Sequence, residues 1–121
     1  MNGKNEVLEL SFQFAIRIVN LCKYLKNEKK EYILSKQLLR SGTSIGANVT
    51  EAQDAQSKKD FISKVAISLK EAKETRYWIS LLIETDYLPG NSKNVQSLQS
   101  ELQSLISLLS SISISAKNKL Q

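Results

Sequence analysis

A chain of 121 residues, 41% hydrophobic and with a formal net charge of +5, can bury one core as a single domain spanning residues 1–121. It holds no histidine and only one cysteine. Those absences exclude Ser-His triads, Cys-His dyads, histidine metal sites, histidine-based ribonuclease chemistry and any intrachain disulfide.

Residues Glu6 to Lys26 read as the first helix. Leu8, Ala15, Ile18, Cys22 and Leu25 make a stripe at alternating three and four spacing, with Ser11 filling its gap. Phe12, Phe14, Ile16, Val19 and Leu21 lie outside that stripe, so the helix is apolar over far more than one core-facing side. The surplus predicts a second covered face, a subunit interface. Cys22, among Val19, Leu21 and Leu25, reads as a small buried hydrophobe rather than a reactive thiol.

A charged turn, Lys26-Asn-Glu-Lys-Lys30, follows; with Lys23 and Lys36 it forms the densest basic region of the chain. The second helix is expected from Glu31 to about Ala55, with acidic Glu31 at its positive end. Leu34, Leu38, Ser41, Ile45 and Ala52 make its inward stripe. Gly42 and Gly46 each weaken a helix interior by roughly 1 kcal/mol against alanine, which predicts another backbone packed closely against them.

Ser57, with Asp60 three residues on, marks the start of a third helix over Lys58 to about Thr85. Its expected core stripe is Ile62, Val65, Leu69, Ala72, Ile79 and Ile83, and Arg76 falls on it. Tyr77 and Trp78 read as core or interface aromatics rather than a base-stacking platform, since no run of aromatics interleaved with basic residues surrounds them. Pro89-Gly90 stops the helix, and Asn91 or Ser92 can cap the next. The fourth helix, about Ser92 to Lys117, carries Val95, Leu98, Leu102, Leu105, Leu109, Ile112 and Ala116 in an unbroken heptad register. Serines fill most of its outer face. The fold class is therefore all-α, an up-down-up-down antiparallel four-helix bundle.

A polar set interrupts the second helix. Arg40, Ser44, Asn48 and Glu51 lie at spacings of four, four and three, on one face. Glu71, Glu74 and Trp78 make a matching set on the third helix. If the chain reverses near Ala55 to Ser57, residues whose numbers sum to about 114 oppose each other, and Arg40 meets Glu74. The set reads as a buried structural network that fixes register, and Arg40→Ala would then remove about 3–5 kcal/mol. The competing reading makes Glu71 and Glu74 an acid–base or metal-binding pair. Bundle metal sites pair glutamates with a Glu-x-x-His motif, which this chain lacks, so neither enzyme activity nor a metal or cofactor is expected.

Leu39-Arg-Ser-Gly-Thr-Ser-Ile-Gly-Ala-Asn-Val-Thr-Glu-Ala52, Lys58-Lys-Asp-Phe-Ile and Ile67-Ser-Leu-Lys-Glu-Ala-Lys-Glu-Thr-Arg-Tyr-Trp78 resemble a bacterial family of four-helix bundles. That family was first noted for proteins encoded by intervening sequences within 23S ribosomal RNA genes. The resemblance covers essentially the whole chain and implies a cytoplasmic homopentameric barrel. A related branch comprises the accessory variability proteins of diversity-generating retroelements, which assist a reverse transcriptase and bind nucleic acid through a basic surface. Arg40, Ser44, Asn48, Glu51, Glu71 and Glu74 match the family motif, and Tyr77 and Trp78 match its aromatic end.

The expected function is a non-enzymatic oligomer associated with RNA or DNA through a basic surface. Lys23, Lys26, Lys29, Lys30 and Lys36 are its candidate contacts; the family motif does not include them. The alternative is a protein-interaction scaffold, such as the accessory subunit of a reverse transcriptase. No apolar run approaches the ~20 residues of a membrane span and no signal-peptide pattern opens the chain, so a cytoplasmic protein is expected.

Overall fold

In a computed structural model, residues 3–120 are described, and they form four α-helices and no strand. The helices are α1 (Gly3–Asn27), α2 (Leu34–Gln53), α3 (Lys58–Glu84) and α4 (Lys93–Leu120). Each packs on the next, and α4 closes back onto α1, giving the four sides of an antiparallel bundle with α1 diagonal to α3. The α1–α4 side is the sparsest of the four.

Local chemistry sets each boundary. The Ser57 hydroxyl accepts the Asp60 N–H at 3.0 Å, and the Asp60 carboxylate accepts the Gln56 N–H at 3.2 Å, so the start of α3 is capped from both directions. At the other end of α3, Asp86 takes a left-handed backbone (φ 67°). Its N–H donates to Ile83 O at 3.1 Å and the Tyr87 N–H to Leu82 O at 2.9 Å, a Schellman closure that turns Leu88 into the core. Ser92 then caps α4 by accepting the Val95 N–H at 3.2 Å.

The start of α2 differs from expectation. The helix begins at Leu34 rather than Glu31, because Glu31 acts as a cap from outside it. Its buried carboxylate accepts the N–H of Ser35 at 2.7 Å and of Ile33 at 3.3 Å, while the Ser35 hydroxyl donates to Glu31 O at 2.9 Å. Lys30, at φ 55°, makes the sharp turn that brings Glu31 there.

Three stripes also shift. Phe14 is fully buried and Leu8 and Ala15 only partly so; the core side of α1 is Val7, Ser11, Phe14, Ile18, Cys22 and Leu25. The α3 core runs through Val65, Ser68, Ala72, Thr75, Ile79 and Leu82, leaving Arg76 exposed rather than on the inward stripe. Ser68 and Thr75 are tolerated inside because each is satisfied. Ser68 Oγ donates to Ile45 O at 2.8 Å, and Thr75 Oγ1 lies 2.9 Å from Ser41 Oγ and 2.8 Å from Glu71 O. In α4 the late core positions are Ile106, Leu109 and Ser113, with Ile112 and Ala116 half-buried.

The two interior glycines of α2 lie against α1. A Cβ on Gly42 would stand 2.8 Å from Ile18 Cγ2, and one on Gly46 would stand 3.2 Å from the backbone oxygen of Ser11. The close backbone approach expected from their spacing is present at Gly46, where α1 makes it; at Gly42 the neighbour is the Ile18 side chain. Cys22 is buried beside α2, its thiol 3.4 Å from Ser35 O, and burial pushes its pKa up to about 11 despite the nearby Lys26 charge. The thiol is therefore protonated and unreactive at neutral pH.

Candidate functional site

The polar set of α2 and α3 divides into three separate contacts. Arg40 bridges Glu71, at 3.1 Å, and Glu74. The Trp78 indole N–H donates to the same Glu74 oxygen at 2.9 Å, and Arg40 Nε donates to Gln37 at 3.4 Å. Glu51 pairs instead with Lys64 at 2.9 Å, and that hydrogen bond raises the Lys64 pKa above its ordinary value. Ser44 and Asn48 bond to each other within α2: the Asn48 amide donates to Ser44 O at 2.8 Å and Ser44 Oγ at 3.1 Å.

This is a surface seam, not a buried network. The Arg40 side chain is 51% exposed, and Glu51 is exposed as well. The reason is the position of the set: its residues flank the α2–α3 contact while Ser41, Ile45, Ser68 and Thr75 occupy the inside of it. The loss on Arg40→Ala is accordingly about 1 kcal/mol, the scale of a partly exposed ion pair, rather than the value for a buried one. Urea unfolding of the Arg40→Ala variant checks this; a midpoint shift as large as a core truncation would put the arginine back in the interior. Arg40 lies across both Glu71 and Glu74 and so links α2 to α3. Among the described residues, no three His, Cys, Asp or Glu side chains gather so as to hold a metal ion.

The structure gathers the five candidate lysines at one end of the bundle. Lys23 and Lys26 lie in the last turns of α1, Lys29 and Lys30 in the turn, and Lys36 in the first turn of α2. All are exposed, and none is in an ion pair among the described residues. Glu28 sits exposed among these lysines, whereas Glu31, just ahead of α2, is turned inward by its capping role.

Next to that end lies an uncharged apolar face. Phe12, Ile16 and Val19 follow each other along the outside of α1 and are 62, 42 and 36% exposed; Leu39 of α2 is 39% exposed. By helical periodicity Thr43, Ala47 and Thr50 continue the same side of α2, which gives a flat surface beside the ridge of α1.

Two features escaped the sequence reading. Arg17 spans the α1–α4 side, donating to Glu101 at 2.6 Å, Ser97 at 3.2 Å, and the Asn94 side chain and backbone at 3.1 Å. A cleft of about 420 Å³ lies beside it, lined by Asn20, Tyr24, Leu88, Pro89 and Val95. The outside of α3 also carries exposed cations that no spacing rule had singled out.

Bundle, apolar ridge and lysines without ion-pair partners among the described residues together define a small cationic helical protein. No described helix is long and apolar enough to cross a membrane. The chain matches the family described as 23S rRNA-intervening sequence protein over residues 3–111, and it belongs to that family. It is also similar to a protein of unknown function from the S23 ribosomal protein family of Bacteroides thetaiotaomicron VPI-5482, known from its crystal structure. The two are 51% identical with a TM-score of 0.87, and the match covers 92% of this chain and 97% of that one. No curated protein matches.

Proposed function

We propose that this protein is a non-enzymatic cytoplasmic subunit that assembles with copies of itself, as a homopentameric barrel, and associates with RNA through its basic end. The observation that carries the reading is the juxtaposition on α1 and α2 of an exposed, charge-free apolar ridge with five lysines that lack ion-pair partners among the described residues. Phe12, Ile16 and Val19 in water forfeit the gain of burial, which a neighbouring copy supplies. Assembly then repeats the lysine cluster around a ring, and a ring of cations holds a polyanion by its phosphates with little base readout. Membership of a family described by its link to 23S rRNA supports the choice of RNA.

Sedimentation velocity tests the assembly. The wild-type chain should sediment as a pentamer, and the Phe12→Glu/Ile16→Glu variant as a folded monomer. A wild-type monomer at tens of micromolar would leave the ridge to a different protein, the scaffold alternative. Fluorescence anisotropy with a structured RNA over about 50 to 200 mM salt tests the association. Replacing Lys26, Lys29 and Lys30 by glutamate should weaken binding at least tenfold and flatten the logarithmic salt slope by about 3. Absence of wild-type binding at the lowest salt would end the RNA reading.

A further inference from the structure

The outer side of α3 carries a stripe that the function proposed above does not use. Lys59, Ser63, Ala66, Lys70, Lys73 and Tyr77 follow one another at spacings of four, three, four, three and four, and all are exposed. Arg76 flanks the stripe and is exposed too. From Lys59 to Tyr77 the stripe runs about 27 Å at 1.5 Å per residue.

Three observations separate this stripe from an ordinary solvated face. First, it has one sign of charge. Glu71 and Glu74, the acidic residues of the same turns, lie toward α2 and are neutralised by Arg40. Lys59, Lys70, Lys73 and Arg76 are in no ion pair among the described residues. The next carboxylate along the stripe is Glu84, two turns beyond Tyr77. Second, Tyr77 is 59% exposed at the C-terminal end of the stripe, next to Lys73 and Arg76. Its ring meets Trp78 edge-to-face, with centroids 5.1 Å apart and planes at 74°. Trp78 is itself held by Glu74 and packed against the core, so Tyr77 is braced, and a T-shaped contact engages at most one of its ring faces. Third, α3 is diagonal to α1, so this stripe is separate from the ridge that Phe12, Ile16 and Val19 form on α1.

We propose that the outer stripe of α3 is a track for an unpaired stretch of nucleic-acid strand. Lys59, Lys70, Lys73 and Arg76 neutralise its phosphates, and Tyr77 stacks on one base. The inference rests on the nucleic-acid reading above and adds to it a second site, distinct from the Lys23–Lys36 end, with a preference for unpaired strand. Phosphate contact alone is indifferent to pairing; a braced ring beside Lys73 and Arg76 is not, because only an unstacked base offers it a face.

Anisotropy with a uridine-rich single strand and with a duplex of equal length tests the proposal. Binding is compared for the wild type, Lys70→Glu/Lys73→Glu/Arg76→Glu, Tyr77→Ala, Tyr77→Phe and the Lys26/Lys29/Lys30 to glutamate protein. Circular dichroism establishes that each is folded. The α3 triple variant should lose at least tenfold in single-strand affinity and about 2 in salt slope. Tyr77→Ala should lower the ratio of single-strand to duplex affinity about tenfold, and Tyr77→Phe, which keeps the ring, should restore it. Single-strand binding intact in the α3 variant but lost in the Lys26/Lys29/Lys30 variant would overturn this inference and leave the RNA reading standing. No binding by the wild type would remove both. A ratio unmoved by Tyr77→Ala, or poly-glutamate competing as well as the single strand, would also overturn it, the latter by making α3 a face for acidic protein.

Discussion

Phe14→Ala is expected to lower the unfolding free energy by about 3–5 kcal/mol and the melting temperature by about 10–20 °C. Phe14 is fully buried, points into the centre of the bundle from α1, and is among the largest of the wholly enclosed side chains. Truncation removes its transfer free energy and leaves a cavity walled by the other helices. Those walls cannot collapse freely, because α2 is already pressed against α1 at Gly42 and Gly46. Neighbouring Phe12 provides the control. It is 62% exposed, so in the isolated subunit Phe12→Ala should change stability by less than about 0.5 kcal/mol. Urea midpoints at constant m-value decide the matter; equal effects of the two substitutions would mean that the wrong phenylalanine has been placed inside.

Gly42→Leu is expected to be as damaging, by the opposite mechanism, at about 3 kcal/mol or more. The first added carbon would already stand 2.8 and 2.9 Å from the two γ carbons of Ile18. Ile18 is fully buried and, being β-branched in a helix, has one strongly preferred rotamer, so it cannot swing aside. Gly42→Ala separates two opposing effects. It gains roughly 1 kcal/mol of helix propensity and meets about 1–3 kcal/mol of overpacking. Combining it with Ile18→Ala removes the clash, and the double variant should be less destabilised than the sum of the singles. Strict additivity would show that the two residues do not touch.

Some of this was legible in the sequence for identifiable reasons. The pairing of Arg40 with Glu74 follows from a short reversal and helical spacing, and the start of α3 follows from Ser57 and Asp60, because both depend on neighbours close along the chain. The interior of α3 was not legible. The apolar stripe runs through Leu69 and Arg76 rather than Ser68 and Thr75, yet the hydroxyls go inside because Ile45 O and Ser41 lie opposite them on another helix. Similarly, Phe12, Phe14 and Ile16 are all apolar, so periodicity cannot choose which of them faces in; the packing of α2 and α4 decides it. Glu31 was read correctly as acidic residue for the positive end of α2 but wrongly as its first residue, since a carboxylate can serve that end from outside the helix.

The candidate surfaces divide in the same way. The lysine cluster around the first turn is contiguous in sequence and could be seen there. The cations of α3 are spread over Lys59 to Arg76 among glutamates, and their common sign emerges only when Arg40 and α2 draw Glu71 and Glu74 to one side. Tyr77 was set aside for want of other aromatics. One braced ring at the end of a cationic stripe is a pattern in space, not along the chain.

The sparse α1–α4 side has a consequence for how the molecule comes into being. The other three sides join helices adjacent in the chain, so each can form as a local hairpin at small loop-closure entropy. This connectivity lets α1 pair with α2, and α2 with α3, before the C-terminal part of the chain is in place. The return of α4 to α1 is the one helix contact that joins elements far apart along the chain. Arg17 holds that side with donors for Asn94, Ser97 and Glu101, a polar clasp between the first helix and the last.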